Sequence, residues 1–528
     1  MKSLGAIPLL VALLFAAAAP AASAAVLPPG QEKEAALSLQ DCIVAALKNN
    51  LGVAVEIITP RLSEMSLDFT KEKYIPGLSF GFSSANTNAA SFSFLTSAAT
   101  ITSLDKSYSA SVSQLVPTGG RFTASLSSYK SDSNQSFQTI NPRYGSTLSF
   151  SFSQPLLRNF GIPITNRDIV VARNNLDINE TQFRSVLQDA IYRVEQAYWT
   201  LVYSIENLEV RRQSLQLARD LLTKNRREAD VGTIAPIEIL NAEAEVATRE
   251  AEIVQAETQV ATSQDQLQTL MTPHAGDGKP RPGRVVPTDK PEYEKKAPDL
   301  ESCIATALEN RTDLQVARLD LRNREIGYDY ARNQLLPDLS FSVSYWSPGL
   351  SGTQILYQDD NPLTGVVIGT VPGGARDSLL DAFHFKYKNY SVGLSLSIPL
   401  NNLINKEHYA QIRIQYDQAR LRIENLEQQV FLEIRNAIRA VEMNYKSVQA
   451  YRVARELAER KLQGEEKKLK VGLTTNYLVL WQQRDLANAQ SAELKSLIDY
   501  NLALSALERS LGTSLKSKNI NLAEILDR

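Results

Sequence analysis

The chain has 528 residues, with 56 basic and 58 acidic side chains, so its formal net charge is only −2. A balance this close to neutral favours binding neither to nucleic acid nor to an acidic membrane surface. The only two cysteines, Cys42 and Cys303, exclude a disulfide framework, and we interpret both as small buried residues.

Residues 1–24 have the pattern of a secretory signal peptide. One lysine precedes an apolar run over residues 7–19, and the small residues Ala22-Ser23-Ala24 provide a cleavage point. The run is too short for a membrane span. No cysteine directly follows the cleavage point, so nothing indicates an N-terminal lipid anchor. The sequence therefore predicts an exported protein.

Landmarks of the first half of the chain recur in the same order in the second half. They are Cys42 and Cys303, Pro76 and Pro337, and the turns Val231-Gly232 and Val471-Gly472. This order indicates a tandem duplication. We divide the exported chain into a first repeat, residues 25–298, and a second repeat, residues 299–528. The first repeat ends in a linker rich in proline and glycine.

Each repeat is predicted to begin with a short helix, residues 39–73 with a kink at Pro60, and residues 299–333. Strands follow, with apolar and small residues alternating at 78–82, 108–112, 148–153, 339–345 and 392–398. Such alternation gives a strand one apolar and one polar face. In a soluble sandwich the apolar face would be the core. Export, strands near the roughly 9–11 residues that cross a bilayer, and aromatic residues near the strand ends favour a membrane barrel.

In each repeat the strands lie between two helices, so the chain must enter and leave the membrane on the same side. Each repeat therefore has an even number of membrane-crossing strands. The second repeat offers two strands, joined by a long polar loop at residues 348–386. The first offers two or four, because residues 107–116 and 121–129 flank a turn signal at 117–120. Bacterial barrels have at least about eight strands, so several chains must build one barrel.

The strands are followed in each repeat by a long helix that turns back on itself. Apolar residues recur every three or four positions from Phe183 to Leu208 and from Leu426 to Val448. The predicted helices cover 164–228 and about 406–470, and their returns cover 236–271 and the residues up to 511. A long helix of this kind spans roughly 95 Å. Each return stacked on a short helix has about that length.

With this order of elements, the chain resembles the TolC family of outer membrane efflux proteins over essentially its whole exported length. The segments Ser153-Gln154-Pro155 and Ser397-Ile398-Pro399 resemble the places where the family's strands enter the long helices. The resemblance implies a membrane α+β fold. In it, a homotrimer forms a twelve-stranded β-barrel in the outer membrane, continued by a long α-helical coiled-coil tunnel across the periplasm. If the extra first-repeat hairpin also crosses, the barrel has eighteen strands.

The resemblance also implies the function. The chain would be the exit duct of a tripartite efflux or type I secretion system in the outer membrane of a Gram-negative cell, in contact with outer membrane lipid. Substrate would arrive from an inner-membrane pump of the RND or ABC type through a periplasmic adaptor protein.

Two sets of residues at the helical tips follow from the resemblance. The expected adaptor contacts are Val231, Gly232, Thr233, Val471, Gly472, Leu473 and Thr474. A Val-Gly pair also simply ends a helix. Beyond the second turn, family members place two carboxylates at the tunnel entrance, where this chain has Leu478 and Trp481; the first-repeat counterparts are Glu238 and Asn241. Our hypothesis is an entrance closed partly by apolar packing of Leu478 and Trp481. The alternative is that both are ordinary helix core.

No enzyme is predicted. The three histidines lack metal-ligand spacing, and the chain has no nucleophile elbow or phosphate loop. We therefore expect no catalytic, cofactor or metal site. The alternative from another class is a trimeric coiled-coil envelope spacer or adhesin with a β-barrel anchor. Strands that interrupt both repeats favour the conduit.

Overall fold

The computed structural model describes residues 35–91, 100–136, 138–272, 283–291 and 293–520, so the predicted signal peptide lies outside the described residues. Helices at one end lead into a β-sheet at the other. In chain order the elements are β1 (Ala35–Leu37), α1 (Leu39–Asn49), α2 (Leu51–Glu56), α3 (Ile58–Lys71), β2 (Gly77–Ala90), β3 (Thr100–Leu115), β4 (Arg121–Ser133), β5 (Ile140–Pro155), α4 (Ile162–Thr165), α5 (Arg167–Asp230), α6 (Pro236–Met271), β6 (Val285–Pro287), α7 (Leu300–Asn310), α8 (Thr312–Asn333), β7 (Asp338–Tyr357), β8 (Val367–Val371), α9 (Ala375–Phe383), β9 (Asn389–Ser397), α10 (Leu403–Lys470), α11 (Asn476–Leu511) and α12 (Ser514–Ser517).

The short helix that opens each repeat is broken, but not where the sequence suggested. Asn50 ends α1 and caps α2, its side-chain oxygen accepting hydrogen bonds from the backbone N–H groups of Gly52 at 2.8 Å and Val53 at 3.3 Å. A second break falls at Ile57. The predicted kink at Pro60 is wrong, because Pro60 lies in the first turn of α3, where its missing N–H leaves no intrahelical bond unmade.

One sheet contains the long strands of both repeats. Its order is β2-β3-β4-β5-β7-β9, and β8 pairs only with the end of β7 farthest from the helices. The extra first-repeat hairpin belongs to this sheet, with 16 residues in β3 and 13 in β4, more than the roughly 9–11 that a crossing needs. A twelve-stranded trimer needs four strands per chain and does not fit these six.

The predicted polar loop 348–386 is also wrong in part. Strand β7 continues to Tyr357, pairs there with β8, and is followed by the helix α9. The sequence did not predict this continuation, because Pro348, Gly349 and Gly352 are residues typical of turns. In the structure they lie within the strand, where they pair with β5.

The sheet has one serine-rich and one apolar face, as the alternation predicted. On the serine face, hydroxyl groups of neighbouring strands hydrogen-bond at 2.7 Å, between Ser79 and Ser111 and between Ser125 and Ser149. Much of the apolar face is uncovered, with Phe80 77% and Leu394 68% exposed. A soluble sandwich would bury this face, whereas a membrane barrel turns it towards lipid.

The two long helices and their returns agree closely with the prediction. Helix α5 has 64 residues and α10 has 68, and the returns α6 and α11 each have 36. Among the described residues, no single helix is long and apolar enough to cross a membrane, although the bent pair Leu39–Asn49 and Leu51–Tyr74 meets the length and composition required.

The core is duplicated like the sequence. One cluster surrounds Cys42 where α1, α5 and α6 meet, and an equivalent cluster surrounds Cys303 where α7, α10 and α11 meet. Both cysteines are buried and unbridged, which confirms the interpretation from sequence. Burial raises the pKa of the Cys42 thiol to about 12, so this group stays a neutral packing residue at physiological pH.

Candidate functional site

The two predicted turns at the helical tips have the same backbone geometry. Gly232 has a φ of 75° and Gly472 a φ of 74°. After α5, the N–H of Thr233 donates to the carbonyl of Glu228 at 2.9 Å; after α10, the N–H of Leu473 donates to that of Lys468, also at 2.9 Å. This bonding pattern is the Schellman motif, in which glycine in the left-handed region ends a helix.

The side chains around these turns project away from the protein. Val231 is 74%, Val471 69% and Leu473 77% exposed, although all three are apolar. Thr233 is held more tightly, since its hydroxyl donates to the carbonyl of Glu228 at 2.7 Å. The tips therefore carry small, uncovered apolar surfaces on rigid turns.

Alanine at Gly232 or Gly472 should loosen its tip by about 1 kcal/mol, because a side chain is strained at positive φ while the added methyl group meets no neighbour in either turn. Hydrogen exchange of the tip amides measures this change. Gly464→Ala is the matched control: Gly464 lies within α10 with open space around it, so alanine there should stabilise the helix. If Gly472→Ala and Gly464→Ala changed the hydrogen-exchange rates of the tip amides equally, strain at positive φ would not be the cause.

The predicted entrance residues lie just beyond these turns. Leu478 is 43% and Trp481 46% exposed, while Val479 and Leu480 between them are buried against the other helices. Neither Leu478 nor Trp481 is therefore core within its own chain. Glu238 and Asn241 at the start of α6 are half-buried.

A buried arginine that the sequence did not reveal lies further along α6. Arg249 is 1% exposed, and its Nη1 donates to the carbonyl of Ser214 on α5 at 2.6 Å. Its Nη2 donates to the carbonyl of Leu480 on α11 at 3.0 Å, and Nε to Glu245 at 3.1 Å. Burial lowers the pKa of Arg249, and the Glu245 carboxylate opposes that shift. No pattern could have singled it out from the other arginines on these helices.

Arg249 therefore links the two helical hairpins close to the entrance. An apolar cluster joins the same helices nearer the turns; its buried members are Ala218, Leu221, Ala242, Leu462, Val479 and Leu480. Leu480 takes part in both, through its side chain and its carbonyl. The position of Trp481, the next residue, thus depends on how firmly the hairpins are joined. In the described part of the chain, no group of His, Cys, Asp and Glu is placed to hold a metal ion.

A family model for outer membrane efflux proteins matches residues 84–272 and 303–513, which is most of both repeats. The chain belongs to the outer membrane efflux protein family. This efflux protein is accordingly a transport conduit rather than an enzyme. It is the outer membrane exit duct of a tripartite efflux system, and it extends into the periplasm. Members of the family form trimers and work with periplasmic adaptors and inner-membrane pumps.

Solved structures support the fold of this efflux protein. The CmeC outer membrane channel of Campylobacter jejuni has a TM-score of 0.61 and 15% identity, with 92% of this chain and 90% of that chain covered. The open MtrE channel of Neisseria gonorrhoeae has a TM-score of 0.60 and 15% identity, with 90% of this chain and 88% of that chain covered. VceC from Vibrio cholerae has a TM-score of 0.60 and 14% identity, with 90% of this chain and 96% of that chain covered. No curated protein matches the chain.

Proposed function

We propose that the two turns are the surface on which the periplasmic adaptor docks, with Val231 and Leu473 at its centre. The observation that carries this proposal is the exposure of apolar side chains on two turns of identical backbone geometry. Exposed apolar residues on a rigid support are typical of a binding surface. RND and ABC pumps both deliver substrate through an adaptor, so the same tips serve either type.

Photo-crosslinking in intact cells tests the docking surface. A photoreactive residue at Leu473 or Val231 should capture the coiled-coil adaptor that acts with this duct. Val254 is the matched control, because it is an equally apolar, 62% exposed residue on α6 away from the turns. Capture of the adaptor from Val254 and not from the turns would contradict the proposal.

The entrance of the duct is the second part of the proposal. In the trimer, three copies of Leu478 and Trp481 would face one axis and narrow the tunnel by apolar contact, with Glu238 and Asn241 adding polarity beside them. Their exposure in the single chain supports this arrangement, because such large side chains gain free energy when a neighbouring chain covers them.

The barrel is the third part. Three chains with six long strands each supply eighteen strands, and the outer edges β2 and β9 of neighbouring chains would pair to close it. Because barrel diameter grows roughly in proportion to strand number, this exit would be about 1.5 times as wide as a twelve-stranded one. A density map of the purified trimer that resolves the strands counts them directly, and twelve would disprove this assignment.

A further inference from the structure

Helix α9 covers a patch of serine side chains on the apolar face of the sheet. Alternation along β5 places Ser146 on the same face as Leu148 and Phe150, next to Ser347 and Gly349 of β7. Ser146 is 1% and Ser347 0% exposed. The hydroxyl of Ser146 lies 2.9 Å from that of Ser378 on α9, which is itself buried. The helix therefore lies on the lipid-facing side of the barrel wall.

The contact between α9 and the strands is a close approach of backbones. A Cβ added to Gly349 would lie 1.9 Å from the carbonyl oxygen of Ser378. Ala382, one turn after Ser378, is also completely buried. Small residues on both sides thus let the helix lie flat against the sheet.

The side of α9 that faces away from the sheet is apolar. Leu380 is 42% and Phe383 52% exposed, and the helical spacing of three places them on one side. Just after the helix, the ring of Phe385 lies 5.7 Å from that of Tyr345. Tyr345 is in turn paired with Tyr390 on β9. Tyrosines of this kind mark the membrane interface, so α9 lies where the apolar band ends.

Two basic side chains lie on the same face of the sheet as this helix. Lys106 and Lys130 are directly opposite each other on β3 and β4, on the apolar face, and Tyr144 on β5 continues their row. The Lys130 ammonium lies 5.9 Å from the centre of the Tyr144 ring and 3.5 Å from the Asp132 carboxylate. Like charges directly opposite each other destabilise a sheet unless an anion lies between them. Only one carboxylate contacts this pair within the described residues.

We propose that α9, Lys106 and Lys130 form a binding site for a phosphorylated glycolipid of the outer leaflet. Its acyl chains would contact Leu380 and Phe383, and its phosphate would lie between the two ammonium groups. Three observations point to this ligand: the site lies in the part of the sheet farthest from the periplasmic helices, it joins the lipid-facing surface, and its two ammonium groups have the charge opposite to that of a phosphate. The site is independent of the tips, so failure of the adaptor proposal would leave it unaffected.

Native mass spectrometry of the purified trimer tests the site, with bisphosphorylated lipid A as the probe. The double variant Lys106→Gln with Lys130→Gln should lower the affinity at least about tenfold, which corresponds to the loss of charge-assisted bonds to one phosphate. Lys106→Arg with Lys130→Arg should retain binding. Lys446→Gln with Lys461→Gln on α10 is the charge-matched control, since both lysines are exposed on a periplasmic helix.

Three results would overturn the proposal. The first is equal binding of lipid A by the Gln double variant and the parent trimer, and the second is equal binding of dephosphorylated lipid A and the bisphosphorylated form. The third is binding of inorganic phosphate as tight as that of lipid A, which would show that the acyl chains are not recognised.

The orientation of α9 has its own test. Phe383→Trp in phosphatidylethanolamine vesicles should be quenched strongly by brominated acyl chains, relative to the parent protein. Leu363→Trp is the control, because Leu363 is 67% exposed in the turn between β7 and β8, beyond the apolar band. Equal quenching at both positions would contradict the placement of α9 in the lipid.

Discussion

Replacing Arg249 by methionine is expected to destabilise the joined tips by about 3 kcal/mol. Methionine keeps most of the apolar stem but removes the guanidinium, which takes the second hydrogen-bond donor from the carbonyls of Ser214 and Leu480 and leaves the Glu245 carboxylate without its cation. The largely buried Glu245 carboxylate, 19% exposed, loses its charged partner, and this accounts for most of the effect. Hydrogen exchange of α6 and α11 amides near these residues measures it.

The control for Arg249→Met is Arg212→Met. Arg212 also bridges two helices, with Nη2 3.1 Å from Glu257, but both side chains are about half exposed. Exposed pairs of this kind contribute at most about 1 kcal/mol. If the two variants lost the same stability, burial would not be what makes Arg249 important.

Combined replacement of Leu478 and Trp481 by alanine is expected to raise the single-channel conductance of the trimer severalfold. Both side chains are exposed near the start of α11, and in the proposed arrangement their removal from three chains would widen the narrowest passage. Planar bilayer recordings at fixed salt measure the change. Little loss of stability is expected, since neither residue is buried in its own chain.

Val254→Ala is the control for conductance, because it removes an exposed apolar side chain far from the turns. Block by multivalent cations provides a second readout. If block is equally strong in the parent and in Trp481→Ala, the carboxylate of Glu238 controls the entrance rather than apolar packing. An unchanged conductance in the double variant would also rule out the apolar gate.

The helical part of this fold was readable from sequence because its ends carry local signals. Pro236 begins α6 as predicted, and Gly232 and Gly472 end α5 and α10 in Schellman motifs. Proline and glycine act through their own backbone, so neighbouring elements hardly alter their effect. The helix break at Asn50 was missed because a cap depends on side-chain hydrogen bonds rather than on periodicity. The break at Ile57 has no side-chain cap, so no capping residue marks it in the sequence.

The sheet was harder to predict, since strand number depends on pairing between distant segments. Gly349 was predicted to lie in the loop 348–386, but it lies within β7, where only a residue without a side chain allows α9 to approach. For the entrance, the sequence predicted which positions are involved but not whether Leu478 and Trp481 are buried within their own chain. Arg249 was missed altogether, because its burial results from contacts with residues up to 234 positions away in the sequence.

Single-channel conductance of the purified protein, recorded together with its mass in detergent, tests the central claim that the chain is a conduit. We expect a trimer with a small, steady conductance that rises when Leu478 and Trp481 are replaced by alanine. A monomer, or a trimer that conducts no ions in either form, would contradict the account and favour a coiled-coil envelope spacer instead.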